Sequence, residues 1–125
     1  MNATLPISFD RKFQIVTYRC SHGQLLLRSA KSPNCPTRID VLFKDVRAFE
    51  LRTFLSGLSI AEGDSTQVRD RASKPLDAME DGHKVYVLKS EDWVGYVVGG
   101  AVFWHEDQGE FAQPSVYMPE VTLLG

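Results

Sequence analysis

Short runs of β-branched and aromatic residues, separated by glycine and proline, follow one another along most of this chain. Such runs favour extended strands, and the breaks between them favour turns. Strands that arrive in succession, without a long amphipathic helix, predict a mostly β fold. We expect an antiparallel β-sandwich or partly open β-barrel of about six to nine strands, with at most one short helix. The clearest strand candidates are residues 13–20, 24–28, 39–44, 84–89 and 101–105.

The first two runs are predicted to form a hairpin. Between residues 13–20 and 24–29 stands Ser21-His22-Gly23, and glycine readily takes the positive φ that a tight turn needs. The following stretch, residues 30–37, contains two prolines, which cannot donate hydrogen bonds to a sheet. We therefore expect that stretch to be a loop.

A second hairpin is predicted near the C-terminal end of the sequence. Gly99-Gly100 separates two strand-like runs, residues 94–98 and 101–106. A pair of glycines is among the easiest sequences to fold into a two-residue turn whose twist matches paired strands. The two runs are therefore expected to pair with each other.

The run at residues 39–44 has one fully apolar face and one more polar face. Ile39, Val41 and Phe43 share one face, whereas Asp40, Leu42 and Lys44 lie on the other. This pattern is typical of a strand with one buried and one solvated face. We expect the three apolar residues to be buried together, and the two charged residues to be exposed.

A chain of 125 residues can bury one core, so residues 1–125 are expected to form a single domain. The short apolar runs in residues 46–60 fit either a strand or a helical turn, and a strand is favoured. Residues 59–83 are more polar, and we expect a mobile segment there. Within it, residues 75–81 are a candidate short helix that begins at a proline.

The charges are nearly balanced, with 14 Lys and Arg against 16 Asp and Glu and a net charge of −2. A protein with this balance lacks the basic surface that nucleic-acid phosphates require, so we expect no nucleic-acid partner. The sequence shows no apolar stretch long enough for a membrane span and no signal-peptide pattern at its start. The expected location is therefore the cytoplasm, without membrane association.

Cysteine and histidine supply the candidates for metal binding or covalent chemistry. Cys20 and His22 flank one turn, and Cys35 lies in the proline-containing loop. They are weak metal candidates, because the paired spacing of structural zinc sites is absent. Cys20 and His22 also lack the oxyanion and orienting groups of a cysteine nucleophile. We expect thiols rather than a disulfide, no catalytic residues and no cofactor.

Aromatic residues are concentrated between residues 86 and 104. A small domain can bury only part of this aromatic surface on one face of a sheet. Trp and Tyr also form large contacts with partners at low entropic cost. Tyr86, Trp93, Tyr96 and Trp104 are therefore candidates for a partner-binding surface. The alternative is that all of these rings belong to the core.

Residues 22–29 (HGQLLLRS) and 37–46 (TRIDVLFKDV) resemble segments of small bacterial proteins of unassigned function. Their residues are of the strand-forming type, so the resemblance implies neither an activity nor a site. The sequence as a whole predicts a non-enzymatic binding module that acts through protein-protein contact, as bacterial immunity or accessory proteins do. The alternatives are a small-molecule-binding or enzymatic barrel whose pocket is roofed by residues 59–83, and a homodimer that uses the aromatic surface for self-association.

Overall fold

The computed structural model describes residues 3–63 and 82–119. The candidate helix at 75–81 and most of the segment predicted to be mobile lie outside the described residues. No membrane-spanning helix occurs in the described part of the chain. Its eight strands are β1 (Ile7–Arg19), β2 (Gln24–Ser29), β3 (Arg38–Lys44), β4 (Ala48–Glu50), β5 (Phe54–Gly63), β6 (Lys84–Lys89), β7 (Val94–Gly99) and β8 (Ala101–Asp107).

All eight strands belong to one antiparallel sheet with the order β4-β7-β6-β5-β1-β2-β3-β8. The sheet is open and is not closed into a barrel, with β4 and β8 at its edges. The mostly β, antiparallel prediction is confirmed. So is the preference for strand in residues 46–60, which contribute to β4 and β5. Residues 59–63, assigned above to the polar stretch, are the end of β5.

The long central strand β1 shapes the sheet. Its first part pairs with β5, its last part pairs with β2, and the pairing register shifts once on each side. Such irregularities bend a strand and increase its twist. The sheet curves so far that both edge strands reach back to β1. The ring centres of Trp104 and Phe9 are 5.3 Å apart, and those of Phe49 and Tyr18 are 5.5 Å apart.

The main core lies on the concave face of this curved sheet. It contains buried side chains from every strand except β4. Burial of aliphatic and aromatic side chains of this kind is the main favourable contribution to folding. The buried members are Phe13, Leu25, Leu27, Ile39, Val41, Phe43, Val46, Leu55, Leu58, Ile60, Tyr86, Leu88, Val97 and Val102.

The hairpin predicted at Ser21-His22-Gly23 is confirmed. Tyr18 pairs with Leu25 and Arg19 pairs with Gln24 across the turn. Gly23 has a φ of 56°, and a Cβ at this position would lie 3.0 Å from the backbone nitrogen of Val46. Both the positive φ and the close approach of another segment require glycine there.

The hairpin predicted at Gly99-Gly100 is wrong. β7 pairs with β6 and β4, whereas β8 pairs with β3, so the chain crosses between two distant parts of the sheet. Neither glycine has a positive φ. The amide of Gly100 donates to the carbonyl of Lys44, and a Cβ on Gly99 would lie 3.1 Å from that oxygen. The two glycines allow the backbone to pass close to the end of β3.

The burial predicted for Ile39, Val41 and Phe43 is confirmed, as is the exposure of Lys44. The exposure predicted for Asp40 is wrong, because this residue is buried. Its face of the sheet is covered by residues 108–119, which we call the C-terminal strap. Met118 of the strap packs on that convex face against Leu26 and Leu42.

Two arginines of the sheet hold the C-terminal strap. Arg38 forms two hydrogen bonds with the carboxylate of Asp107, at 2.8 and 2.9 Å, and donates to the carbonyls of Glu110, Gln113 and Pro114. Arg28 pairs with Asp40 and donates to the carbonyls of Phe111 and Gln113. The arginines therefore satisfy backbone groups of a segment that does not pair with the sheet.

Candidate functional site

The four aromatic residues proposed above as a binding surface are not brought together. Tyr86 is buried in the main core, and this burial raises its pKa. Tyr96 pairs with Val87, the residue after Tyr86, so these two tyrosines lie on opposite faces of the sheet. Trp93 is half-buried beside the main core, with the guanidinium of Arg52 4.7 Å from its ring centre. Trp104 is 41% exposed on the edge strand β8.

Among the cysteine and histidine candidates, Cys35 is separated from Cys20 and His22. Cys20 is exposed in the turn before β2, whereas Cys35 is half-buried in the loop that follows β2. His22 is exposed in the same turn as Cys20. Within residues 3–63 and 82–119, no three His, Cys, Asp or Glu side chains form a group that could hold a metal ion.

A cleft of about 530 Å³ opens to solvent beside β1. Its walls come from the middle of β1, the end of β2 with the following loop, and the first residue of β5. Most of the solvent-facing wall is apolar, although many of the lining residues carry polar or charged ends. The lining residues are Asp10, Arg11, Lys12, Phe13, Gln14, Arg28, Ser29, Ala30, Lys31, Ser32, Asn34, Cys35 and Phe54.

The two phenylalanines that line the cleft differ in their exposure. Phe13 is almost completely buried and belongs to the main core. Phe54, by contrast, is 70% exposed, the highest value among the large hydrophobic residues that the structure describes. It is paired with Gln14 where β5 begins beside β1, so its position is set by the sheet rather than by a loop. The cleft therefore has an exposed aromatic ring at its rim, whereas the ring of Phe13 points into the main core on the opposite face of the sheet.

Arg11 holds the opposite wall in place. Its Nε donates to the hydroxyl of Ser29 at 3.0 Å, and one terminal nitrogen donates to the hydroxyl of Thr37 at 3.0 Å. The other terminal nitrogen donates to the carbonyls of Ala30 and Thr37. These bonds tie both ends of the loop to β1. Inside the loop, Ser32 and Cys35 exchange two backbone hydrogen bonds, so the wall is braced at its tip as well.

The charged residues of the cleft differ in how far their charges are compensated. Arg28 is buried in its pair with Asp40, at 2.7 Å. Lys31 pairs with Glu110 of the C-terminal strap at 2.7 Å, and Glu110 is 71% exposed on its side chain. Lys12 is exposed and forms no ion pair with any of the residues that the structure describes. Asp10 is the acidic member of the lining.

Phe54 and Arg11 do not stand out in the amino-acid sequence. Phe54 is one residue of an apolar run in the sequence, and its exposure depends on which strands lie on either side of it. One sequence feature does point to the cleft, namely the loop with two prolines directly after a predicted strand. Prolines restrict backbone conformations and produce loops of fixed shape.

We compared the chain with protein-family models, curated proteins and solved structures, and found no match to any of them.

Proposed function

We propose that this protein is a non-enzymatic binding module of the immunity or accessory type, and that the cleft beside β1 receives a segment of a partner protein. The observation that carries the proposal is the exposed ring of Phe54 at the rim of a braced cleft. Aromatic residues beside concave surfaces supply much of the binding energy in protein interfaces. A wall that is already fixed also reduces the entropy that binding costs.

The polar groups of the cleft favour a protein segment over a small molecule. Small-molecule sites usually place several unsatisfied polar groups around one point. Here Arg11 and Arg28 direct their donors to groups of the protein itself. What the cleft offers a ligand is an apolar wall, the ring of Phe54 and the charged ends of Lys12 and Lys31. Its volume does lie within the range of small-molecule pockets, and this supports a small-molecule ligand as the second candidate.

Site-specific photo-crosslinking tests the proposal. A photoreactive phenylalanine analogue replaces Phe54 in one variant and Val116 in a matched control, since Val116 is an exposed apolar residue of the C-terminal strap. We expect position 54 to capture one defined protein that position 116 does not. Capture of the same proteins at both positions would contradict the proposal.

The captured partner is then purified and its affinity is measured. Phe54→Ser should weaken binding about tenfold or more, as expected for a central aromatic contact, whereas Val116→Ser should change it little. Equal affinities for both variants would exclude the cleft as the binding site. Capture of a second copy of this chain would assign the cleft to self-association.

We also place the module in the cytoplasm. The support comes from Cys20 and Cys35, which stand in turns at opposite ends of β2 and are both free thiols. Free thiols persist most readily in a reducing compartment.

A further inference from the structure

The cleft has an excess of positive charge that bears on what it binds. Four of its lining residues are cationic and one is acidic. The protein as a whole has a net charge of −2, so this excess is local. Opposite charges on two surfaces increase the rate of association and select among partners. The charge of the cleft therefore restricts the class of segment that it accepts.

Two of the four cations are accessible to a partner. Lys12 is exposed on β1. The ammonium of Lys31 lies 2.7 Å from the carboxylate of Glu110, whose side chain is largely exposed. An ion pair of this kind contributes little to stability because water competes with it. Lys31 can therefore exchange Glu110 for another carboxylate at small cost.

The other two cations are held within the protein. Arg28 is fully buried and neutralised by Asp40. Arg11 donates its hydrogen bonds to neutral oxygen atoms, and its ion-pair partner, Glu106, is 3.9 Å away. Part of the charge of Arg11 therefore adds to the positive potential of the cleft.

From these contacts we propose that the cleft binds an acidic, extended protein segment in which an apolar side chain packs on Phe54 and carboxylates pair with Lys12 and Lys31. Glu110 occupies the position of one such carboxylate in the unbound protein. This inference rests on the proposed function, because it names the partner class of the same cleft.

The test uses three labelled peptides that differ only in charge: Glu-Glu-Phe-Glu-Glu, Gln-Gln-Phe-Gln-Gln and Lys-Lys-Phe-Lys-Lys. Binding to the full chain is followed by fluorescence anisotropy, and the site is located by NMR chemical-shift changes. We expect the glutamate peptide to bind about tenfold more tightly than the glutamine peptide. Its affinity should fall as salt is added, because salt screens exposed charges.

Charge reversal at the cleft supplies the matched variants. Lys12→Glu combined with Lys31→Glu should remove the preference for the glutamate peptide. Lys89→Glu, at an exposed residue of β6 that does not line the cleft, should leave it intact. Equal binding of the glutamate and glutamine peptides would overturn the inference. Equally strong competition by a short oligothymidine would also overturn it, because phosphate would then replace carboxylate.

A further variant separates this inference from the proposed function. If Phe54→Ser weakens all three peptides equally while charge has no effect, the cleft binds protein segments without selecting acidic ones, and the inference alone fails. If Phe54→Ser changes the binding of no peptide and the NMR signals of cleft residues do not shift, the proposed function fails at this cleft.

Discussion

Arg28 and Asp40 form a buried pair on the convex face of the sheet, in which two guanidinium nitrogens contact the two carboxylate oxygens at 2.7 and 3.1 Å. Both side chains are almost inaccessible to solvent. The pair stands between the cleft, which Arg28 lines, and the C-terminal strap, to whose carbonyls Arg28 also donates. Arg28 therefore connects the cleft to the C-terminal strap through direct contacts on the convex face.

Removing one partner of this pair should destabilise the fold strongly. We expect Asp40→Ala to lower the free energy of unfolding by about 3–5 kcal/mol, because Arg28 would remain buried without a counter-charge. Asp92→Ala, which breaks the exposed pair of Asp92 with Arg52, should cost about 1 kcal/mol or less. Urea unfolding followed by tryptophan fluorescence measures both values. Similar losses in the two variants would show that the Arg28–Asp40 pair is not desolvated in solution.

Stability should also depend on the protonation of Asp107. Hydrogen bonds from Arg38 lower the pKa of Asp107 below its ordinary value of 3.8, although burial acts in the opposite direction. The folded state therefore has the lower pKa, so the stabilisation is complete above the ordinary value and is lost as the pH falls through the folded-state pKa. The difference in unfolding free energy between the natural protein and Asp107→Asn should shrink from about pH 5 to about pH 2. A constant difference over that range would contradict this linkage.

Gly95 should tolerate no side chain. A Cβ there would overlap the carbonyl oxygen of Glu50 and lie 2.9 Å from Leu51 Cδ2, so Gly95→Ala would push β4 away from β7. We expect a loss of about 1–3 kcal/mol, which is typical of overpacking. Gly100→Ala is the control, because its nearest new contact would be the Asp45 side chain at 3.2 Å. Thermal unfolding compares the two, and equal midpoints would argue against the close approach of β4.

The anchoring of the C-terminal strap can be tested at two neighbouring positions. Met118 is buried against Leu26 and Leu42, whereas Val116 is exposed. Met118→Ala should cost about 2–5 kcal/mol and increase hydrogen exchange in the strap. Val116→Ala should leave both quantities nearly unchanged. Equal exchange rates in the two variants would show that Met118 does not anchor the segment.

The features that the sequence predicted correctly depend on local patterns. The first hairpin follows from the short spacing between two strand-like runs and from one glycine with positive φ. The burial of Ile39, Val41 and Phe43 follows from their alternation in a strand. Residues close together along the chain produce these patterns, so the sequence contains them directly.

The errors concern residues whose surroundings come from distant parts of the chain. Asp40 was predicted to be exposed because alternation shows which residues share a face but does not show what covers that face. Gly99 and Gly100 were assigned to a turn, although they pass the end of β3. The cleft was missed for the same reason, because Arg11 on β1 braces it through Ser29 and Thr37.

The crossing between β7 and β8 has a consequence for how the protein is made. β8 covers the open side of β3, and Arg28 bonds to Phe111, 83 residues further along the chain. Contacts between such distant residues form slowly, because a long loop must close before they stabilise anything. A nascent chain that has not yet emerged beyond β7 lacks β8, the second neighbour of β3, and lacks Met118, which covers Leu26 and Leu42. During synthesis these are the surfaces at which two unfinished chains are most prone to associate.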